Sequence, residues 1–258
     1  MEINSIRKRA MEFKEQFFFG DLGEIVKYYE TDDGIFVVGE DNGNKEVFWA
    51  VNEIEDLRKG LDVIKKDYNH FLFRYGKNYD ELLKEIDRIT SWGYYYKNMH
   101  VGYLLDFNHF KNDVNNDFET YCLKSNEIDE LMVLDKEIFD LFNASITEFN
   151  EWVEDNNHLI LTIKDKGKLI GFIIIHDIKT NQCFIRNIGI AKEYQGMKLG
   201  QQLLKKALLQ AKNEGCKKCF LWVSRENHSA IHLYEKVGFV IDKNEAEAVF
   251  KSDDSENK

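Results

Sequence analysis

The chain has 258 residues, 43% of them apolar and 14% aromatic, which is globular composition with room for one large domain or two ordinary ones. Its 35 Lys and Arg against 46 Asp and Glu give a formal charge of −11, and both halves split at residue 110 are acidic, which argues against a nucleic-acid partner and suits a small amine slightly better. The longest apolar run, Leu169–Ile175, falls far short of the ~20 residues of a membrane helix, and four cysteines are too sparse for a disulfide scaffold.

The N-terminus mixes Glu2, Arg7, Lys8, Arg9 and Glu12 into its apolar pattern and is no signal peptide, so a cytoplasmic protein without a membrane partner is expected. With no proline in the chain, turns must rest on 16 glycines and on Asn and Asp.

Gly34–Val51 reads as a hairpin turning at D-N-G, followed by a helix over Glu53–Lys66 and a strand over Phe71–Tyr75. That strand leads through Asn78 into a helix ending at Gly93-Tyr94. Periodicity stops at Asp106–Asp117, D-F-N-H-F-K-N-D-V-N-N-D, the clearest internal seam. A strand follows over Glu119–Lys124, then helices over Glu127–Phe142 and Ile146–Asp155, the second opened by the capping-box spacing of Ser145 and Glu148.

His158–Ile163 and Lys168–Ile175 are strands joined at D-K-G, and Cys183–Ile190 is a third. Leu199–Asn213 is an amphipathic helix ended by Gly215, with Leu199, Leu203, Leu204, Ala207, Leu208 and Ala211 on its apolar face. A strand over Lys218–Val223, a helix over Ser229–Val237 and two short strands complete the pattern before a charged tail.

The spacing predicts an α+β fold: a mixed, mostly antiparallel sheet with helices on both faces, preceded by a smaller α/β domain. The expected division is 1–110, 118–251 and a disordered tail 252–258. The first half reads as a degenerate copy of the second, with its hairpin matching His158–Ile175, Asn78 matching Asn227, and Gly93-Tyr94 matching Gly238-Phe239.

The chemically informative stretch is residues 185–204, I-R-N-I-G-I-A-K-E-Y-Q-G-M-K-L-G-Q-Q-L-L. A strand carrying Gly189 runs through a loop with Gly196 and Gly200 into a long helix. Backbone N–H groups at such a helix N-terminus attract phosphate, while the glycine in the strand suggests a bulge or a close approach. Downstream, residues 227–239 read N-H-S-A-I-H-L-Y-E-K-V-G-F.

Together these stretches resemble the GNAT superfamily of acyl-CoA-dependent N-acyltransferases, over roughly Glu119–Phe250. Gln195 and Gly200 fit that family's pyrophosphate loop, Q/R-x-x-G-x-G/A; Asn227, Ala230, Tyr234, Gly238 and Phe239 fit its second segment. The departure is Lys198, which stands where the loop's middle glycine would be; its Cβ restricts the backbone, and its charge adds a cationic contact for phosphate.

The resemblance implies acetyl-CoA as cosubstrate, held by Gln195, Gly196, Met197, Lys198, Leu199 and Gly200 at the pyrophosphate, with pantetheine along Ile188, Gly189 and Ile190 and Asn227 nearby. It implies direct attack by a primary amine, on a small molecule or a peptide, in a ternary complex. The alternative is a CoA-binding pseudoenzyme or regulatory module without transfer.

Tyr234 is the catalytic candidate, because a phenol of pKa ~10 lies near a thiol of ~8.5 and proton transfer to the leaving sulfur is close to balanced. A backbone N–H near Gly189–Ile190, freed by a bulge, is the expected oxyanion donor. Where some members carry a basic Glu this chain has Phe184, while His176 and Asp177 end the preceding strand within reach through water. Phe142, Phe149 and Trp152 are candidate acceptor-pocket residues. No metal site is expected: Cys216 and Cys219 have CxxC spacing without a second pair, and His228 and His232 lack an HExxH glutamate. Residues 1–105, with the cluster Phe17, Phe18 and Phe19, are expected to cap the sheet, wall the acceptor pocket or form a homodimer contact.

Overall fold

The structure, a computed structural model, describes residues 3–18, 22–41, 43–110, 119–139 and 144–253. The chain divides into two compact units. The first comprises Met1–Val101, Ser224–Glu226 and Lys243–Lys258; the second comprises Gly102–Val223 and Asn227–Asp242. The expected boundaries at 110 and 251 therefore shift: residues 102–110 group with the second unit and 243–251 with the first. Among the described residues, no helix is long and apolar enough to cross a membrane.

The first unit contains α1 (Ile3–Ala10), β1 (Glu15–Phe17), β2 (Glu24–Thr31), β3 (Gly34–Asp41), β4 (Asn44–Val51), α2 (Ile54–Asp67), β5 (Leu72–Lys77) and α3 (Tyr79–Ser91), with residues 95–101 of β6 (Tyr95–Asp106). Strands β2, β3 and β4 form an antiparallel meander, β5 joins β4 in parallel, and residues 246–251 lie antiparallel on β5. Helix α2 buries Leu57, Leu61 and Ile64 at helical spacing, and its Gly60 admits the Phe36 ring, which a Cβ there would meet at 1.9 Å. Phe17 and Phe18 are core residues, while Phe19 lies outside the described residues.

Strand β2 is absent from the sequence reading, for a physical reason. It is an edge strand, largely exposed, and a bulge between Ile25 and Lys27 shifts its alternation. Its presence changes the repeat. The hairpin answering the D-K-G hairpin is β2–β3, turning at Asp32-Asp33, rather than Gly34–Val51.

The second unit contains residues 102–106 of β6, then β7 (Tyr121–Cys122), α4 (Ile128–Ile138), α5 (Ile146–Glu154), β8 (Leu159–Asp165), β9 (Lys168–His176), β10 (Gln182–Ile190), α6 (Leu199–Asn213), β11 (Lys218–Ser224, of which 218–223 group here), α7 (His228–Val237) and the first residues of β12 (Val240–Lys251). Its strands run in the order β6-β11-β10-β9-β8-β7. Only β10 and β11 pair in parallel among β7 to β11. Helices α4 and α6 both pack on β9, whose run K-L-I-G-F-I-I-I-H is buried almost throughout because both faces are covered. The mixed, mostly antiparallel sheet with covering helices agrees with the expected α+β class.

Both units thus repeat meander, helix, parallel strand, helix and strand. Asn78 and Asn227 cap α3 and α7 through their side chains, and Gly93 and Gly238 follow with φ of +88° and +112°, a conformation that strains any residue with a Cβ. The closing strand of each repeat contributes to the other unit's residues: 243–251 to the first and 102–106 to the second.

Smaller corrections concern boundaries. The expected strand Glu119–Lys124 shortens to Tyr121–Cys122, and the helix expected over Glu127–Phe142 ends at Ile138, with residues 140–143 outside the described residues. The seam at Asp106–Asp117 likewise lies outside them from residue 111. One strand, β12, replaces the two short ones expected, since nothing in D-K-N-E-A-E breaks the backbone. The tail is tied down at its start: Ser252 is buried, and its hydroxyl donates to the Asn69 carbonyl at 2.7 Å.

Candidate functional site

Strands β10 and β11 pair in parallel only from Gln182 opposite Lys218 to Ile185 opposite Leu221. Both strands run on, but β10 then pairs with β9 alone, across a register shift between Ile185 and Asn187. A wedge therefore opens along Asn187–Ile190, whose edge toward β11 lacks a pairing strand. Asn187 is fixed by donating to Asp135 of α4 at 3.0 Å.

The bulge thus stands at Arg186, not at Gly189–Ile190 where a freed donor was expected. Gly189 answers a different need. A Cβ there would stand 2.8 Å from Ile138, so its bareness lets α4 pack on β10.

Beyond Ile190 the chain makes a 3-10 turn over Lys192–Tyr194 and enters the loop before α6. Gln195 donates its side-chain amide to the Ile190 carbonyl at 3.0 Å and braces the loop against the strand. Gly196 has φ +79° and Lys198 φ +62°, so the lysine adopts the left-handed conformation that a glycine would take more cheaply. Met197 and Lys198 are exposed.

Helix α6 begins at Leu199 with no side-chain cap and no acidic residue in its first turn. Every other helix with a described N-cap has one or the other. Its first N–H groups and its dipole are thus left for an anion from outside the chain. At Gly200 an added Cβ would come no nearer to the protein than 3.5 Å, from Ile190, so space remains over the backbone there.

Tyr234 is buried on α7, its ring edge-on to Phe239 at 5.7 Å. Burial, with a smaller effect of Cys219, pushes its hydroxyl well above the ordinary tyrosine value. It therefore keeps its proton, and the near-balance with a thiol expected from unperturbed values does not hold for this buried hydroxyl. The Asn227 side-chain oxygen accepts from the Ala230 N–H at 3.1 Å, capping α7.

On the α4–α5 face, His176 of β9 is the register partner of Phe184 on β10, which in turn faces Phe220 on β11. Phe184 and Phe220 stack at 6.1 Å, and Trp222 meets Phe220 edge-on at 5.5 Å. His176 Nδ1 lies 2.7 Å from His158 Nδ1, and Trp152 sits edge-on to His176 at 4.7 Å beneath the Arg186 guanidinium. Burial, His158 and Arg186 together push His176 down to about 4. Of the expected acceptor-pocket residues, Trp152 is half-buried beside this pair, Phe149 is fully buried core, and Phe142 lies outside the described residues.

Cys183 on β10 is the register partner of Cys219 on β11. These two thiols and that of Cys216 are buried and free, Cys216 donates to the Ile178 carbonyl at 2.9 Å, and burial pushes Cys216 up to about 12. Among the described residues, no group of three or more His, Cys, Asp or Glu is arranged to hold a metal.

The first unit has the same wedge, but filled. Its parallel pairing of β4 and β5 covers only Glu46 with Leu72 and Val47 with Phe73. Beyond it, β1 lies antiparallel on β4 from Glu15 opposite Val51 to Phe17 opposite Trp49. On the β5 side, Tyr75 and Lys77 donate to Glu15 at 3.0 and 2.9 Å. The helix that follows β4 has Glu53 as N-cap and Glu55 and Asp56 in its first turn, so its dipole is already met by carboxylates. Aligned on the two asparagine caps, Tyr234 falls opposite Glu85, so a carboxylate stands where the second unit has its phenol.

Comparison with known proteins bears on this splayed parallel pair beside an uncapped helix N-terminus. Residues 126–239 match the Acetyltransferase (GNAT) family. It is 36% identical over 86 residues to the [ribosomal protein bS18]-alanine N-acetyltransferase of Haemophilus influenzae, covering 33% of this chain and 58% of that protein. It is 31% identical over 84 residues to the mycothiol acetyltransferase of Corynebacterium efficiens, covering 32% of this chain and 28% of that one. The chain thus spans only part of the length of these relatives. Among solved structures, a GCN5-related N-acetyltransferase from Sphaerobacter thermophilus superposes with a TM-score of 0.61 at 10% identity, over 85% of this chain and 76% of that one. One from Kribbella flavida does so at 0.58 and 9% identity, over 98% and 94%. Likeness at this identity concerns the fold, and it extends beyond the matched domain.

Proposed function

We propose that this protein moves an acetyl group from acetyl-CoA to a primary amine by direct attack in a ternary complex. The observation that carries the reading is the wedge between β10 and β11 leading to the uncapped N-terminus of α6.

The residues fit the cosubstrate. The pyrophosphate would rest on the N–H groups of Gln195–Gly200, with the exposed Lys198 adding charge, and the pantetheine arm would complete the open edge of β10 along Ile188, Gly189 and Ile190. Gln195 serves this loop by bracing it, and Asn227 serves by capping α7 with its side-chain oxygen, which the cap engages and the cosubstrate does not. Bound acetyl-CoA supplies a thioester whose carbonyl carbon accepts a nitrogen lone pair. The chain supplies orientation, the larger part of such catalysis, and the Tyr234 hydroxyl, which holds a proton for the departing sulfur. Residues 1–105 serve structurally, with β1 in the place where a second cosubstrate would otherwise lie.

The relatives' names point to an alanine of a ribosomal protein in one case and to mycothiol in the other, so likeness selects no acceptor. The test is release of CoA thiol from acetyl-CoA against a panel of amino sugars, polyamines, amino acids and peptide N-termini. Turnover with one class supports transfer. Tight CoA binding with no turnover on any class would favour the pseudoenzyme reading instead.

A further inference from the structure

The position expected for a basic glutamate is Phe184, which has no proton acceptor. Its register partner His176, on the same face of the sheet, does. Loop contacts fix the surroundings of this histidine. Asn157 donates to Asp177 at 3.0 Å and accepts from the Lys179 N–H at 3.1 Å, and the Ile178 N–H donates to the Asn157 carbonyl at 3.0 Å. These bonds lace the end of β9 to the segment that carries Asp155 and His158.

Three groups then stand in line. Asp155 Oδ2 lies 3.5 Å from His158 Nε2, and His158 Nδ1 lies 2.7 Å from His176 Nδ1. A carboxylate only accepts, so it favours the proton on His158 Nε2. Neutral His158 then offers a lone pair at Nδ1. A 2.7 Å contact between two Nδ1 atoms requires one proton between them, so it belongs to His176. Neutral His176 is left with its lone pair on Nε2.

We propose that His176 Nε2 is the general base for the acceptor amine, directly or through one water, and that Asp155 and His158 are positioning residues that hold it in the receptive tautomer. This rests on the acetyl-transfer reading above. In the step, the amine lone pair forms the C–N bond and its N–H becomes acidic; that bond breaks and the proton goes to His176 Nε2. The C–S bond breaks with its electron pair on sulfur, which takes a proton from Tyr234, and solvent restores both side chains.

The charged and titratable groups around His176 are His158 and Arg186, which disfavour its protonation, and Asp177 and Glu148, which favour it. Their balance, with burial, keeps the imidazole neutral at neutral pH. The aromatic neighbours Trp152 and Phe184 present no competing acceptor.

Two measurements test this. The first compares His176→Gln with the wild type across pH, on whichever amine the wild type acetylates. The base assignment predicts a fall in kcat of about 100-fold or more near pH 7, with acetyl-CoA KM unchanged and the deficit shrinking as pH approaches the amine's own pKa. An equal deficit at every pH, or a wild-type profile, overturns it. The second reads the wild-type tautomers by nitrogen NMR at pH 7, independently of turnover. His158 protonated at Nε2 and His176 at Nδ1 support the relay, and the reverse arrangement overturns it. A wild type that acetylates no amine would overturn the enzymatic reading itself.

Discussion

The amide of Asn187 donates to the carboxylate of Asp135 at 3.0 Å and ties β10, just past its bulge, to α4. Asp135 is 2% exposed, and burial holds its carboxyl above the ordinary value against the pull of Asn187 and Arg186. A raised carboxyl binds more protons folded than unfolded, so its contribution to stability declines as pH rises from the ordinary aspartate value through the raised one. Asp135→Asn keeps an acceptor oxygen and discards the buried charge. Its Tm at pH 7 should equal or exceed that of the wild type. Asp135→Leu leaves the Asn187 amide without its acceptor and should cost about 1–3 kcal/mol in denaturant unfolding. A large loss in the Asn variant would mean that the charge itself holds the bulge.

Gly200 separates folding from ligand binding. Because an added methyl would meet the protein only at 3.5 Å, Gly200→Ala should fold at least as well as wild type, helped by helix propensity. The same methyl stands over the N–H groups assigned to phosphate, so CoA affinity should fall about tenfold, the worth of roughly one hydrogen bond. Unchanged affinity in calorimetry would move the pyrophosphate elsewhere.

Tyr234→Phe should lower kcat by about 100-fold with little change in acetyl-CoA KM, because the hydroxyl acts only as charge reaches sulfur. With its pKa raised by burial, Tyr234 stays protonated through the alkaline range, so no loss of activity below pH 10 should trace to it. Full turnover in the Phe variant, with chemistry rate-limiting, would leave Tyr234 as a packing partner of Phe239.

His176 should also mark the acid side of the stability curve. Its folded pKa of about 4 lies below the ordinary histidine value of about 6.5, so the unfolded chain binds more protons between these limits. Stability should therefore fall as pH drops through that window. His176→Gln should flatten this part of the curve in urea titrations at successive pH values. An identical slope in the variant would mean that the buried imidazole is protonated with no penalty.

Local signals were legible wherever the physics was local. The capping box at Ser145 and Glu148 and the apolar face of α6 follow from short-range patterns and stand as expected, while the matched asparagines at 78 and 227 prove to be the caps of α3 and α7. What escaped the sequence depends on register. The 18-residue separation of His158 and His176, the meeting of Cys183 with Cys219, and the bulge at Arg186 rather than Gly189 appear only once strands are paired. Strand β1 is three residues long and finds its place only because β4 and β5 diverge. The glycine at 189 was legible as a close approach, but not as one made by Ile138 of α4.

One slot per chain is the claim on which the rest depends. The wedge in the first unit holds β1 and faces a helix start lined with carboxylates, whereas the wedge in the second is open beside an uncapped helix. Calorimetric titration of the whole chain with CoA tests this most directly, in the wild type and in Gly200→Trp. The expected stoichiometry is one, with binding abolished in the variant while its thermal unfolding stays cooperative. Two equivalents per chain, or undiminished binding in a folded Gly200→Trp protein, would contradict it.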